Sequence, residues 1–283
     1  MAHQCVSVAN LFKGTKQPPR NQPQLGSGVM LLTIDVGNTQ TVLAVFAGER
    51  LAHSWRVRTN PYTTADELAL LYKGLLATDD VNVSGIAACS TVPTITRELH
   101  AMFGRYFVHL RTILIEPGLK TGVRLAVDNP KEVGTDRVMN SLAAYRLYGG
   151  PAIVVDFGTS TNFDVIGAEG EFLGGALAAG IEISVEALAH RAAALRKVEL
   201  VRPKSVIGKN TVTSMQSGTI FGFAGQVDGI VRRIDAEIGP VQAVIATGGL
   251  APLVMDETSV ITHHEPNLTL IGLRYVFQCT ASV

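Results

Sequence analysis

The sequence has no long apolar run, few cysteines and no net charge, and each absence excludes a class of protein. No apolar stretch approaches the roughly 18 residues of a membrane-spanning helix, so we expect no membrane partner. Cys5, Cys89 and Cys279 are odd in number and widely spaced. They predict neither a disulfide framework nor a cysteine metal site, and they favour a reducing, cytoplasmic compartment. Lys plus Arg equals Asp plus Glu at 24 each, so no nucleic-acid partner is expected.

The N-terminal segment differs in composition from the rest of the chain. Residues 1–29 are rich in Gln, Pro, Gly and Lys and lack the apolar middle region of a secretion signal. We therefore expect a disordered tail or leader, with Met30 as the first folded residue. The whole chain of 283 residues is 47% hydrophobic and 17% charged, which suits one large globular domain or two of ordinary size.

Strand-like and helical patterns alternate along the chain, which predicts an α/β fold. A segment that begins with a Thr64 cap predicts a helix with Leu68, Leu71 and Leu75 on one stripe. The segment DRVMNSLAAYRLYGG predicts a second helix that ends at Gly149. Strands are predicted at Leu31–Ile34, Val42–Phe46, Ile86–Ala88, Ile113–Ile115, Ile153–Val155, Asp164–Ile166 and Val244–Ala246.

Two of these strands end in the same kind of polar turn. Asp35-Val36-Gly37-Asn38-Thr39 follows the first strand, Asp156-Phe157-Gly158-Thr159-Ser160 follows another, and each turn leads into a return strand. Glycine lets the backbone approach an anion with its N–H groups exposed, and the neighbouring hydroxyls, including that of Thr41, can donate to phosphate oxygens. The carboxylates repel phosphate and are expected to hold a cation or its waters instead. The alternative is a pair of ordinary hairpins.

The repeated turn also predicts the domain organisation. Gly149-Gly150-Pro151 directly precedes the second copy, so we place a boundary near residue 150. The prediction is two related α/β domains, at 30–150 and 151–283, with a nucleotide cleft between them. A third segment, Thr247-Gly248-Gly249 after a strand, would let a base or ribose pack against the backbone.

The segment Gly134-Thr135-Asp136-Arg137 stands at the start of the second predicted helix. A helix start offers N–H groups and a positive dipole end to an anionic ligand, and Arg137 can bind a carboxylate in a bidentate manner. Asp136 could then accept a proton from a substrate hydroxyl that attacks a γ-phosphate. Alternatively, Asp136 only caps the helix and Arg137 forms a surface ion pair. The spacing alone does not choose between these interpretations.

A glycine-rich helical segment predicts close packing against another backbone. Gly218 and Gly222 are four apart, as are Gly225 and Gly229, and each helical glycine costs about 1 kcal/mol relative to alanine. Close approach of another backbone would offset that cost. The contact could be made within one subunit or between two.

Several motifs taken together resemble one family. In order, they are the D-x-G-N-T turn, P-x-x-x-G-x-D-R, the second D-x-G-T turn, GGALAAG (174–180), GKNT (208–211) and TGG (247–249). Over about residues 30–277 the chain resembles the type III pantothenate kinases, members of the acetate and sugar kinase, Hsc70 and actin superfamily. That resemblance implies actin-like, ribonuclease H-like domains. The chain departs from the family pattern at Ala179, where Pro is usual, and at Asn162, where Thr is common.

The resemblance also implies roles for individual residues. Asp136 would be the catalytic proton acceptor, Asp156 would bind a monovalent cation (K⁺ or NH₄⁺), and Mg²⁺ would accompany ATP. A homodimer is implied, with the site near its interface. The residues implied to bind ATP are Asp35, Val36, Gly37, Asn38, Thr39, Gln40, Thr41, Val42 and Thr159. Those implied to bind pantothenate are Gly134, Thr135, Asp136, Arg137 and Thr211.

The predicted function is the ATP-dependent phosphorylation of pantothenate to 4′-phosphopantothenate, the first step of coenzyme A synthesis. Two rival hypotheses are a nucleotide-binding accessory regulator without turnover and a related kinase acting on another small molecule.

Overall fold

The computed structural model describes residues 30–191 and 198–280. The predicted tail at residues 1–29 lies outside this range. Among the described helices, none is both long and apolar enough to cross a membrane. The strands are β1 (Met30–Val36), β2 (Gln40–Ala47), β3 (Arg50–Arg58), β4 (Gly85–Ser90), β5 (Arg111–Ile115), β6 (Ala152–Phe157), β7 (Ser160–Ile166), β8 (Phe172–Ala179), β9 (Ala243–Thr247) and β10 (His263–His264). The helices are α1 (Ala65–Thr78), α2 (Pro93–Tyr106), α3 (Thr135–Tyr148), α4 (Ile181–Arg191), α5 (Thr211–Ile238) and α6 (Leu268–Thr280).

The strands form two five-stranded mixed sheets, which confirms the predicted α/β class. The first sheet has the order β3-β2-β1-β4-β5 and the second has the order β10-β9-β6-β7-β8. In the first, β1 pairs antiparallel with β2 and parallel with β4. In the second, β6 pairs antiparallel with β7 and parallel with β9. The two sheets therefore repeat one arrangement, each built around a central strand that ends in the polar turn.

All seven predicted strands form, but β3, β8 and β10 were not predicted. β3 is an edge strand in which Ser54, Arg56 and Arg58 are exposed, so it lacks a continuous apolar run. β8 carries Gly174 and Gly175 in its interior, which are residues that strands usually disfavour. β10 is only two residues long. In each case pairing with a neighbouring strand outweighs a weak local preference.

The predicted apolar stripe of α1 is confirmed at Leu68 and Leu75, which pack in or against the core, but it was wrong at Leu71. Leu71 is 39% exposed, whereas Tyr72 is 1% exposed and packs in the core with Leu68. The helix is rotated so that the large aromatic ring is buried, a choice made by the shape of the core and not by the periodicity. Its start is as predicted, because the Thr64 side chain accepts from Glu67 N–H in a capping box.

The described residues belong to two compact units that do not follow the chain in simple succession. Within the described residues, the first unit includes 30–123, Asp128–Ala143 and 268–280; the second includes Arg124–Val127, 144–191 and 198–267. A boundary near residue 150 stays a prediction. The predicted division of the chain did not include the return of α6 to the first unit. There α6 packs so closely on α3 that a Cβ on Gly272 would lie 2.2 Å from the Met139 carbonyl oxygen.

Candidate active site

In the first unit, β1 ends at the predicted polar turn. The Gly37 N–H donates to the Gln40 carbonyl oxygen at 3.0 Å, which closes the turn. Val36, which was predicted to bind ATP, is fully buried, whereas Asn38, Thr39 and Gln40 are exposed. The exposed part of the turn is therefore the part whose N–H groups and side chains can reach a phosphate.

The end of β3 is fastened to this turn. The Thr41 and Thr59 hydroxyls lie 2.9 Å apart, and the Thr59 N–H donates to the Thr39 carbonyl oxygen at 3.0 Å. Arg56 Nη1 donates to Gln40 Oε1 at 2.7 Å. The Thr41 hydroxyl, predicted to face phosphate, is thus buried and bonded within the protein, while Arg56 is brought to the turn.

The start of α3 explains why glycine precedes the predicted acid–base group. A Cβ on Gly134 would lie 2.5 Å from Asp136 Oδ1, so the carboxylate folds back over a position that has no room for a side chain. The Asp136 carboxylate accepts its own backbone N–H and that of Arg137, and both bonds act to lower its pKa. Burial outweighs them and raises the pKa of Asp136 above its ordinary value. Asp136 therefore accepts hydrogen bonds at the helix start, and its raised pKa makes it a better proton acceptor.

Asp136 lies close enough to Asp35 for its charge to act on the Asp35 carboxyl group. Burial, and secondarily the negative charge of Asp136, raises the pKa of Asp35 to about 7. A Cys89 hydrogen bond, the positive charge of Arg56 and a Thr269 hydrogen bond act in the opposite direction. Two neighbouring carboxylates with raised pKa values are typical of a functional site, because they do not increase the stability of the fold.

Two residues next to Asp35, Cys89 and Thr269, were not predicted from the sequence. Cys89, opposite Asp35 in the β1–β4 register, donates its Sγ–H to Asp35 Oδ1 at 3.4 Å. Thr269 on α6 hydrogen-bonds to Asp35 and lies 2.8 Å from Asn140 Oδ1, one turn beyond Asp136 on α3. Cys89 could have been found by pairing the predicted strands β1 and β4 in parallel, because that register places it opposite Asp35. No local pattern linked Thr269 to a strand more than two hundred residues earlier.

The oxygen donors at this turn suit a hard divalent cation. The described residues contain no group of three or more His, Cys, Asp or Glu side chains able to form a complete metal cage. Mg²⁺ does not need such a cage, since it commonly binds one or two carboxylates together with substrate phosphates and water. Asp35 is the carboxylate that fits, because burial and Asp136 make its negative charge costly without a nearby cation.

In the second unit, the repeated turn is joined by the predicted Thr247-Gly248-Gly249 segment. Gly158 N–H donates to the Ser160 carbonyl oxygen at 3.0 Å, and Leu250 N–H donates to the Phe157 carbonyl oxygen at 3.2 Å. Gly248 has φ 86°, and a Cβ there would lie 2.5 Å from Asp156 Oδ1 and 2.6 Å from the Phe157 carbonyl oxygen. Glycine is required by both its conformation and its contacts, and two oxygens converge on it.

Thr159 and Thr211 both lie in the second unit but in different surroundings. Thr159 is exposed, and its carbonyl oxygen accepts the Gly180 N–H at 3.2 Å. Thr211 is the first residue of α5, next to an Asn210 cap that accepts the Thr213 N–H. It lines a pocket of about 570 Å³ formed by α4 and α5, together with Ser184, Val185, Leu188, Ser214, Met215, Gly218, Thr219 and Phe223. The structure thus brings Asp35 and Asp136 together in one unit, and Asp156 and Thr247–Gly249 in the other.

Sequence comparison relates the chain to one family. The profile described as type III pantothenate kinase matches residues 31–233. A type III pantothenate kinase of Salinispora arenicola is 66% identical over 248 residues, covering 88% of this chain and 98% of that protein. One from a Parafrankia species is 62% identical over 249 residues, with the same coverage of both.

Comparison with solved structures identifies the same general fold. A Campylobacter jejuni protein, provisionally described as a Baf family transcriptional activator, has TM-score 0.56 and 16% identity over 89% of this chain and 100% of its own. A ROK hexokinase from Thermus thermophilus has TM-score 0.51 and 12% identity over 88% of this chain and 98% of its own. At such low identity these likenesses show the two-domain kinase-like fold alone.

Proposed function

The chain belongs to the type III pantothenate kinase family, and from that premise we propose that it transfers the γ-phosphoryl group of ATP to the primary hydroxyl of pantothenate. The observation that carries the proposal is the 66% identity to a relative of that name, over 98% of the relative's length. The product would be 4′-phosphopantothenate, which enters coenzyme A synthesis. The paired carboxylates Asp35 and Asp136 give this chemistry a location in the first unit.

The proposed role of Asp136 follows from its position at the start of α3. Its raised pKa brings the carboxylate closer to the range in which it can accept a proton from a hydroxyl at neutral pH. Arg137, the next residue, would bind the pantothenate carboxylate, because a guanidinium offers two parallel N–H donors. Gly134 and Thr135 complete the substrate segment, with glycine needed to let the Asp136 side chain fold back.

The turn at Asp35 would hold the phosphates through the exposed backbone of residues 38–40 and the exposed side chains of Asn38 and Thr39. In the second unit, the turn at Thr159 would contribute phosphate contacts in the same way. Asp35 would hold the Mg²⁺ that accompanies ATP. A bound magnesium ion neutralises charge on phosphoryl oxygens.

A coupled assay of ADP release, with pantothenate, ATP and potassium, tests the proposal. We expect ADP release to require pantothenate and to stop when it is omitted. ADP release with another small alcohol but not with pantothenate would support a related kinase. Tight nucleotide binding without any ADP release would support the accessory regulator.

We also propose that Asp156 binds a monovalent cation, with the Phe157 carbonyl oxygen beside it. Both oxygens border the space that a side chain on Gly248 would occupy, and oxygen ligands are those that hard cations prefer.

Replacing potassium with sodium at constant ionic strength is therefore expected to lower kcat several-fold, because a site fitted to one ion size holds the other in poorer geometry. The measurement is kcat in matched chloride salts, for the native chain and for Asp156→Asn. In the variant, which has lost the charged ligand, the ratio of the two rates should approach one. Equal rates in both salts for the native chain would contradict the cation assignment while leaving the kinase proposal intact.

We further propose that α5 forms the contact of a homodimer. A Cβ added at Gly218, Gly222 or Gly225 would meet no atom within 4 Å in the described chain, so packing inside one subunit does not explain these glycines. The opposite side of the helix is buried, with Ile220 and Val227 both 0% exposed. Thr211 and Gly218 line the same pocket, so a partner docked on α5 would meet the predicted substrate residue.

The variant Gly222→Leu is expected to shift the protein from dimer to monomer and to remove most activity. The native chain should show a mass near twice 30.1 kDa by light scattering at micromolar concentration. Gly74→Leu in α1 is the matched control, because Gly74 is also helical, exposed and without an atom within 4 Å of an added Cβ. A dimeric and active Gly222→Leu protein, or a fully active native monomer, would contradict the interface.

A further inference from the structure

Arg56 occupies a place at the phosphate turn that the proposed mechanism does not yet use. It lies on the exposed side of the edge strand β3, near the end that the Thr41–Thr59 and Thr39–Thr59 hydrogen bonds fasten to the turn. Its Nη1 donates to Gln40 Oε1 at 2.7 Å, so the guanidinium is held at the tip of the β1–β2 turn. This hydrogen bond restrains the position of the Arg56 charge.

The guanidinium retains the capacity to bind an anion. Arginine has five N–H donors. Within the part of the chain that the structure describes, Arg56 uses one of them, in its hydrogen bond to Gln40. The residue is exposed, so its remaining donors are accessible to solvent beside the turn. A planar guanidinium with free edges matches the geometry of phosphate oxygens better than an ammonium group does.

The charge balance of the site requires such a cation. Asp35 and Asp136 place two carboxylates where the phosphoryl group would be transferred, and carboxylates repel a nucleotide triphosphate. Arg56 is the one cation among the groups that act on the Asp35 carboxylate, so its field extends to the transferring end of the nucleotide. Arg137, at the start of α3, is assigned to the acceptor substrate. Apart from the Mg²⁺ proposed at Asp35, the donor phosphates would otherwise meet backbone N–H groups and uncharged side chains in the first unit.

We propose that Arg56 contacts the γ-phosphate of the nucleotide triphosphate and offsets its charge next to Asp35 and Asp136. This inference rests on the proposed function, since it assumes that the turn binds ATP. Gln40 then acts as a positioning residue, because its side chain holds the guanidinium and need not touch the nucleotide.

The test compares nucleotides that differ by the γ-phosphate alone. In Arg56→Met, whose side chain keeps the apolar stem, the Kd of a non-hydrolysable ATP analogue should rise about tenfold to a hundredfold, while the Kd of ADP should change less than threefold. Arg56→Lys should recover part of the loss by retaining the charge. Arg50→Met, at the other exposed end of β3, is the matched control and should bind both nucleotides as the native chain does.

Because Arg56 is exposed, the thermal unfolding temperature of Arg56→Met should change little from that of the native chain, which separates binding from folding. Equal losses for the ATP analogue and ADP, or no loss for either, would overturn the assignment. The two proposals fail separately. An ATP-selective loss together with no pantothenate phosphorylation would retain Arg56 and reject the proposed substrate, whereas an active native enzyme with an unaffected Arg56→Met would do the reverse.

Discussion

Replacement of Asp136 by Asn is expected to lower kcat for pantothenate phosphorylation by at least about a hundredfold, the usual worth of a positioned general base. Asparagine has nearly the same shape and still offers one oxygen to the N–H groups at the start of α3. It cannot accept a proton from the hydroxyl of pantothenate. The affinity for ATP should change little, because Asp136 faces the acceptor side of the reaction.

The experiment pairs steady-state kinetics with a nucleotide-binding measurement on the same protein. Asp66→Asn is the control, since Asp66 also lies in the first turn of a helix but on the exposed surface of α1. If Asp136 were only a helix cap, both variants would lose a little stability and neither would lose turnover. Near-native kcat in Asp136→Asn would therefore reject its catalytic role.

The variant Asp35→Asn is expected to lose MgATP-dependent activity and, at the same time, to become more stable than the native chain at alkaline pH. The pKa of Asp35 rises from 3.8 to about 7 on folding, so the folded state favours the protonated carboxyl. Well below pH 3.8 both states carry the proton and the group has no effect on stability. As the pH rises from 4 to 7, the unfolded chain ionises first and the free energy of unfolding falls.

Above pH 7 the accumulated deficit is on the order of 4 kcal/mol, from about 1.4 kcal/mol for each unit of pKa. Asparagine carries no charge and avoids this cost. Chemical denaturation without nucleotide, at pH 5 and pH 8, measures the difference between variant and native chain. The advantage of the variant should grow with pH, whereas an advantage independent of pH, or a loss at both values, would mean that Asp35 is not held at a raised pKa.

The sequence predicted the repeated strand and turn because an apolar run followed by Asp-x-Gly is a pattern of neighbouring residues. It also predicted Asp136 and Gly134, which lie two residues apart. It did not predict Arg56, because the strand that carries it is polar on its exposed face and forms by pairing with β2. Thr269 was missed for a different reason. Its contact with Asp35 arises when α6 packs on the first unit, and no short-range periodicity records that return.

The Leu71 prediction failed at the level of packing. Period 3.6 allows several neighbouring stripes on α1, and only the core decides that Tyr72 faces inward while Leu71 remains exposed. The glycines of α5 are the converse case. Their energetic cost in a helix already indicates a close contact, but only the packing around α5 shows that Gly218, Gly222 and Gly225 are left uncovered by their own chain.

The return of α6 to the first unit has a consequence for biosynthesis. The ribosome completes β1, the turn and α3 long before it makes Thr269, and the whole segment Ala144–Asn267 of the second unit is translated in between. A nascent chain therefore carries Asp35 without the hydroxyl that α6 supplies and without the helix that covers the β1–β4 face. The first unit can finish folding only after the second has been synthesised. Ribosome-bound chains stalled before residue 268 should consequently lack a completed Asp35 site, even when every residue of the turn has already emerged.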